Sequence, residues 1–151
     1  MRLLFIVSIL LVATSAFGQD ARRIKTEKID GLICTNFSDW RVFTNASNFW
    51  TPTTEQVIEA EREIESYLKK DPKFHSNDLW RKLPDYQRQY VGVFVDGHKR
   101  VFCNFFKMLP AYRGEMTQTP FIAFDGGESF FRIQYDLDDK HCYGFEANGN
   151  A

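Results

Sequence analysis

The chain has 151 residues, 19 Lys and Arg against 20 Asp and Glu, and a formal net charge of −1. That balance offers neither nucleic acid nor an anionic membrane surface an electrostatic reason to bind. The length suits one domain with material for a real core, and 15 Phe with six Tyr supply its aromatic content.

The chain opens MRLLFIVSILLVATSAFGQD. One basic residue, an apolar run and a small-residue site make the layout of a secretory signal peptide. It predicts cleavage after Gly18, a mature start at Gln19, and a secreted or periplasmic protein. A membrane anchor is not expected, because a spanning helix needs about 20 apolar residues and Ser8, Thr14, Ser15 and Gly18 dilute this one. The reading is therefore a signal peptide over 1–18, a flexible lead-in over 19–30 and one α+β domain over 31–151.

From Gly31 the apolar pieces LICTNF and WRVF allow one strand. Asn36-Phe37-Ser38 and Asn45-Ala46-Ser47 match the glycosylation acceptor pattern, which matters only in a eukaryotic host. Residues 50–72, WTPTTEQVIEAEREIESYLKKDP, carry the clearest helix. Val57, Ala60, Ile64, Tyr67 and Leu68 share one face. Either Thr51 caps with Pro52 at the first position, or Thr53 caps with Gln56 reaching back. Asp71-Pro72 stops it. A short second helix fits NDLWRKL, between an Asn77 cap and Pro84.

Beyond it the period turns strand-like. Tyr86–Val95 and Arg100–Phe106 flank the turn Asp96-Gly97-His98-Lys99 as a hairpin. Phe121–Phe124 and Glu128–Tyr135 flank Asp125-Gly126-Gly127 as another, and His141–Phe145 is a last strand. Strands joined by short turns pair antiparallel. The expected fold is α+β, one long helix packed on a curved four- to five-stranded antiparallel sheet.

Both faces of that sheet carry large apolar groups, whereas a half-solvated sheet alternates apolar and polar. The 107–120 connection, the N-terminal segment, a second subunit or a ligand must cover the second face. Tyr90, Phe94, Phe102 and Phe106 are read as that face's binding residues, for a protein, a peptide, a small apolar ligand or a second copy of the chain.

Cys34, Cys103 and Cys142 make an odd count, and Cys103–Cys142 is the preferred bridge because both lie in the sheet. No Cys/His spacing suggests a metal, and no cofactor motif is present. His75, His98 and His141 are the only histidines, and His98 is read as solvated in the hairpin turn. Glu61 borders the helix's apolar stripe and faces a sheet carrying Arg88 and Arg132, so it pairs with one Arg or acts as an acid or base. Asp136, Asp138 and Asp139 read as a solvated turn, since the glycine and distal glutamate of a calcium loop are missing.

A long helix followed by a curved meander over roughly residues 50–146 resembles the cystatin-like and NTF2-like folds. Gln89-Tyr90-Val91-Gly92-Val93 is similar to the cystatin hairpin motif Gln-x-Val-x-Gly, with its Gly one place early. The first resemblance implies protease inhibition, the second a pocket enzyme using Glu61 or a His. RQYVGV, DGG and the closing FEANGNA look like small exported bacterial proteins of no assigned function. The leading expectation is an exported, non-catalytic binding module; the pocket enzyme and the protease inhibitor are its alternatives.

Overall fold

The computed structural model describes residues 21–75, 77–107 and 116–148. The expected signal peptide with its expected cleavage after Gly18, and residues 108–115 of the connection, lie outside the described residues. No described helix is long and apolar enough to cross a membrane.

In chain order the elements are β1 (Arg22–Lys25), β2 (Asp30–Ile33), α1 (Trp40–Phe43), β3 (Asn48–Trp50), α2 (Thr54–Lys70), α3 (Leu79–Lys82), β4 (Gln87–Val95), β5 (His98–Phe106), β6 (Phe130–Asp136) and β7 (His141–Ala147). The strands form one seven-stranded sheet in the order β1-β2-β4-β5-β6-β7, with β3 also on β4. This corrects the expected fold class. The sheet is mixed, because β2 runs parallel to β4, from Asp30 beside Gln87 to Ile33 beside Tyr90. A parallel pair needs a crossover of a dozen residues or more, and the span between β2 and β4 provides it. Among the described residues three α-helices stand in place of a single one, and α1 and α3 have four residues each.

Helix α2 is capped by Thr53, not Thr51. Gln56 N–H donates to Thr53 Oγ1 at 3.3 Å and Thr53 N–H to Gln56 Oε1 at 2.9 Å, a reciprocal cap. Val57, Ala60, Ile64 and Leu68 are fully buried against the sheet face that carries Tyr90, Val101, Cys103, Phe105, Phe131, Ile133 and Tyr135. The β4–β5 turn is the two-residue Asp96-Gly97, both with positive φ (52° and 81°), a twist that matches the strands it joins.

The lead-in is partly strand. In β1 only Ile24 is buried while Arg22, Arg23 and Lys25 face outward or to the rim; charges of this kind keep an edge strand from recruiting another chain. The second expected hairpin does not form. Phe121 N–H donates to the Gln89 side chain at 2.8 Å, outside any strand ladder, and β6 starts only at Phe130.

The second sheet face is covered by the chain itself. Leu32, Cys34, Trp40, Phe49, Val91, Val93 and Phe102 form a second core, with Phe37, Phe43 and Met116 against it. Residues 117–121 are fastened across this face like a strap. Gln89 Nε2 donates to Thr117 O (2.8 Å) and Thr119 O (2.6 Å), Trp40 Nε1 to Gln118 O (2.8 Å), and Asn104 Nδ2 to Phe121 O (2.9 Å). Gln118 Oε1 accepts in turn from Thr35 and Asn36 N–H, each at 2.8 Å.

Candidate functional site

The four residues read as one binding face do not share a face. Register places Tyr90 opposite Cys103 and Val91 opposite Phe102, so Tyr90 and Phe94 point to the α2 side and Phe102 and Phe106 to the strap side. Tyr90, Phe102 and Phe106 are 0%, 4% and 1% exposed. Phe106 stacks on Phe121 at 4.7 Å, and Phe121 on Phe130 at 5.6 Å. Phe94 alone is half-buried. Tyr90, Phe102 and Phe106 are core on two sides of one sheet, so the four residues do not make one exposed face.

The expected Cys103–Cys142 bridge is also absent: Cys34, Cys103 and Cys142 are buried free thiols. Cys103 lies on β5 and Cys142 on β7, with β6 between them. Two strand spacings are about 10 Å, beyond the reach of a disulfide. Burial pushes the Cys34 and Cys142 thiols up to about 12, and Cys103 well above its ordinary value. Neutral buried thiols are poor nucleophiles.

What the fold does build is a cleft of about 410 Å³ between α2 and the 79–84 segment. Ile29, Ile58, Trp80, Leu83 and Pro84 form its apolar walls, and Glu61 and Arg88 its floor. Ile58 stands 44% exposed on the outer side of α2. Volume and lining both fall in the ordinary range for small-molecule sites.

The floor is a buried ion pair. Arg88 Nε donates to Glu61 Oε1 at 3.1 Å, and Tyr90 hydroxyl donates to the same oxygen at 2.6 Å. Arg88 Nη1 donates to Tyr86 O at 2.6 Å, and the guanidinium lies 5.3 Å over the Phe105 ring. Glu61 is 7% exposed, Arg88 1%. Burial, reinforced by the neighbouring Glu61 charge, holds the Tyr90 hydroxyl well above its ordinary value, so it stays a donor. Glycine at position 31 makes the room: a Cβ there would meet the Tyr90 ring at 2.5 Å.

Of the two arginines read as partners for Glu61, the fold selects Arg88, while Arg132 donates to Glu146 at 2.7 Å. No histidine lines the cleft. His75 accompanies the Lys69 carbonyl at 3.1 Å, and His141 packs edge-on against Tyr143. His98 is not simply solvated, for its Nδ1 lies 3.1 Å from Asp136 Oδ2. His98, Asp136 and Asp139 bring three ligand-type atoms within 4.8 Å of one another. Asp136 is already committed, however: Oδ2 accepts from Arg100 and Oδ1 from the N–H groups of Asp138 and Asp139. The cluster organises the β6–β7 turn. Asn36 and Asn45 are both exposed.

The walls of the cleft come from three separate stretches, around residues 28, 58–65 and 80–88. In sequence the helix stripe, Glu61 and its candidate partner Arg88 announce it. Trp80 and Leu83 read there merely as part of a short helix.

No known protein family, no curated protein and no solved structure matches the chain.

Proposed function

We propose that the chain is an exported, non-catalytic binding module that holds a small ligand of largely apolar body in the cleft between α2 and the 79–84 segment. The observation that carries this reading is the combination of an open apolar wall with a buried, charge-paired floor. Most of the described aromatic groups are buried in the two cores, although Phe124, Val42 and Ile122 stand exposed elsewhere; here Ile58 and Trp80 line a concave space. A site of this kind takes its affinity from apolar area and its selectivity from a few fixed polar atoms.

The second reading, a pocket enzyme, has one observation in its favour, the carboxylate of Glu61 in the cleft. Among the described lining residues there is no His, Cys or Ser to share the work of an acid, base or nucleophile. Binding is the better account.

The test compares wild type with one variant, by calorimetry or by Trp80 resonances, against a panel of small apolar compounds. Ile58→Glu places a charge on the wall and is expected to abolish binding while leaving the melting temperature near wild type, because residue 58 lies outside both cores. A wild-type protein that binds nothing in the panel, or an Ile58→Glu protein that binds as well as wild type, removes the cleft from consideration.

A further inference from the structure

The floor of the cleft narrows the ligand further. Glu61 Oε1 is used twice, by Arg88 Nε and by the Tyr90 hydroxyl, while Oε2 has no hydrogen-bond partner among the described residues. Arg88 uses Nε for Glu61 and Nη1 for Tyr86 O, and Nη2 likewise has no described partner. Both side chains are more than nine-tenths buried, and both line the cleft. Neither atom is sealed from solvent, the described buried polar atoms without a partner being those of Gln87; covering either one with an apolar group would be costly, because both are charged. An occupant that satisfies Oε2 and Nη2 together is therefore favoured over one that covers them.

The chemistry of the two atoms is complementary. A carboxylate oxygen can only accept, and a guanidinium nitrogen can only donate. Their charges offset one another, so a carboxylate head would face Glu61 and an ammonium head would face Arg88. The rim does not change this balance: Arg62 is paired with Glu63 at 3.5 Å, Arg81 with Asp78 at 3.2 Å, and Lys28 and Glu65 add one charge of each sign to the lining. What fits is an uncharged group that offers an N–H beside a C=O.

Resting on the binding reading above, we infer that the ligand is a carboxamide on an apolar body, its N–H donating to Glu61 Oε2 and its carbonyl accepting from Arg88 Nη2. Its hydrocarbon part lies against Ile29, Ile58, Trp80 and Leu83.

The experiment compares hexanamide, hexanoate and hexylammonium, three heads on chains of equal length, by titration of the full mature chain followed at the Trp80 indole N–H resonance. Hexanamide is expected to bind about tenfold tighter than either charged compound, the scale of one hydrogen bond to a charged group. Hexanoate or hexylammonium binding as tightly or tighter overturns the inference while leaving the cleft as a site. If none of the three moves the Trp80 resonance, the cleft reading fails and the inference with it. N-acetylleucine N-methylamide in the same series separates the sources of the amide: tighter binding than hexanamide assigns it to a peptide backbone, weaker binding to a small molecule. Glu61→Gln leaves Arg88 without its counter-charge, so hexanoate is expected to overtake hexanamide. An unchanged ranking in a folded variant overturns the assignment of the floor. The wild-type comparison decides the matter even if that variant does not fold.

Discussion

Asp136 serves four donors at once. Oδ1 accepts the N–H groups of Asp138 and Asp139 at 3.0 Å each, and Oδ2 faces Arg100 Nε at 3.2 Å and His98 Nδ1 at 3.1 Å. Burial alone would raise its carboxyl, but the Asp139 amide, Arg100, the Asp138 amide and His98 outweigh it and hold the group below its ordinary value of 3.8. A carboxylate with a lowered folded value stabilises the fold above the ordinary value, and that contribution is lost as pH falls through the folded one. Asp136→Asn is thus expected to cost about 1–3 kcal/mol at neutral pH. The stability gap to wild type should close as pH falls below the ordinary value of 3.8; a gap that stays constant into this acid range would show that the charge is not what matters. Gly92 illustrates a different kind of residue. A Cβ there would meet the Trp50 ring and carbonyl at 2.4 Å. In sequence this glycine looked like a displaced inhibitor motif. Its reason lies on the neighbouring strand β3, which no local pattern names.

Elements with a strong local signal were legible. The stripe and cap of α2, the Asp96-Gly97 turn and the strands beside it are written in neighbouring residues, and they occur where local physics places them, apart from shifts of one or two positions at their ends. Short elements held by distant partners were not. β1 shows one apolar residue in four, and β3 has three residues in all; both exist because a ladder elsewhere accepts them. The strap across residues 117–121 is bound mainly through side-chain amides, Gln89, Asn104 and Gln118, whose partners lie far away in sequence. This element layer carries a prediction of its own. Phe102 packs edge-on against Trp40 at 5.9 Å and Phe43 at 5.6 Å, so Phe102→Ser is expected to cost about 3–5 kcal/mol in urea denaturation, as for other large-to-small core changes. A loss near zero would return this face to the list of exposed binding surfaces.

For the molecule as a whole, the sequence correctly demanded a cover for the second sheet face and left its identity open among four candidates. The chain supplies that cover from α1, residues 37–49 and the strap. The cleft was legible only in part. Glu61 stood out because a carboxylate beside an apolar stripe is unusual, and Arg88 because it faces that stripe. Their walls depend on how α3 and the residues before β4 turn back over α2, a tertiary arrangement with no periodicity to read. Three buried thiols are a second property of the whole. Thiol-reactive dye is expected to find three groups per chain after denaturation and none within minutes in the native protein. A count of one after denaturation would restore a bridge.

One edge of β4 is shared by β2 along Gln87–Tyr90 and by β3 along Gly92–Phe94, while its other edge carries β5. Assembly order follows from that arrangement. Everything before residue 87 lacks the rail on which its strands must dock, and loop-closure entropy is spent before those distant pairings return anything. The β4–β5 hairpin, closed by two residues, can form early and alone; β1, β2 and β3 must wait for it. A fragment ending at Asp85 is therefore expected to lack a cooperative thermal transition in circular dichroism, and mixing it with a second fragment spanning residues 86–151 should restore one. A chain built this way is expected to stay unfolded until β4 and β5 are available, which would suit the export proposed for it.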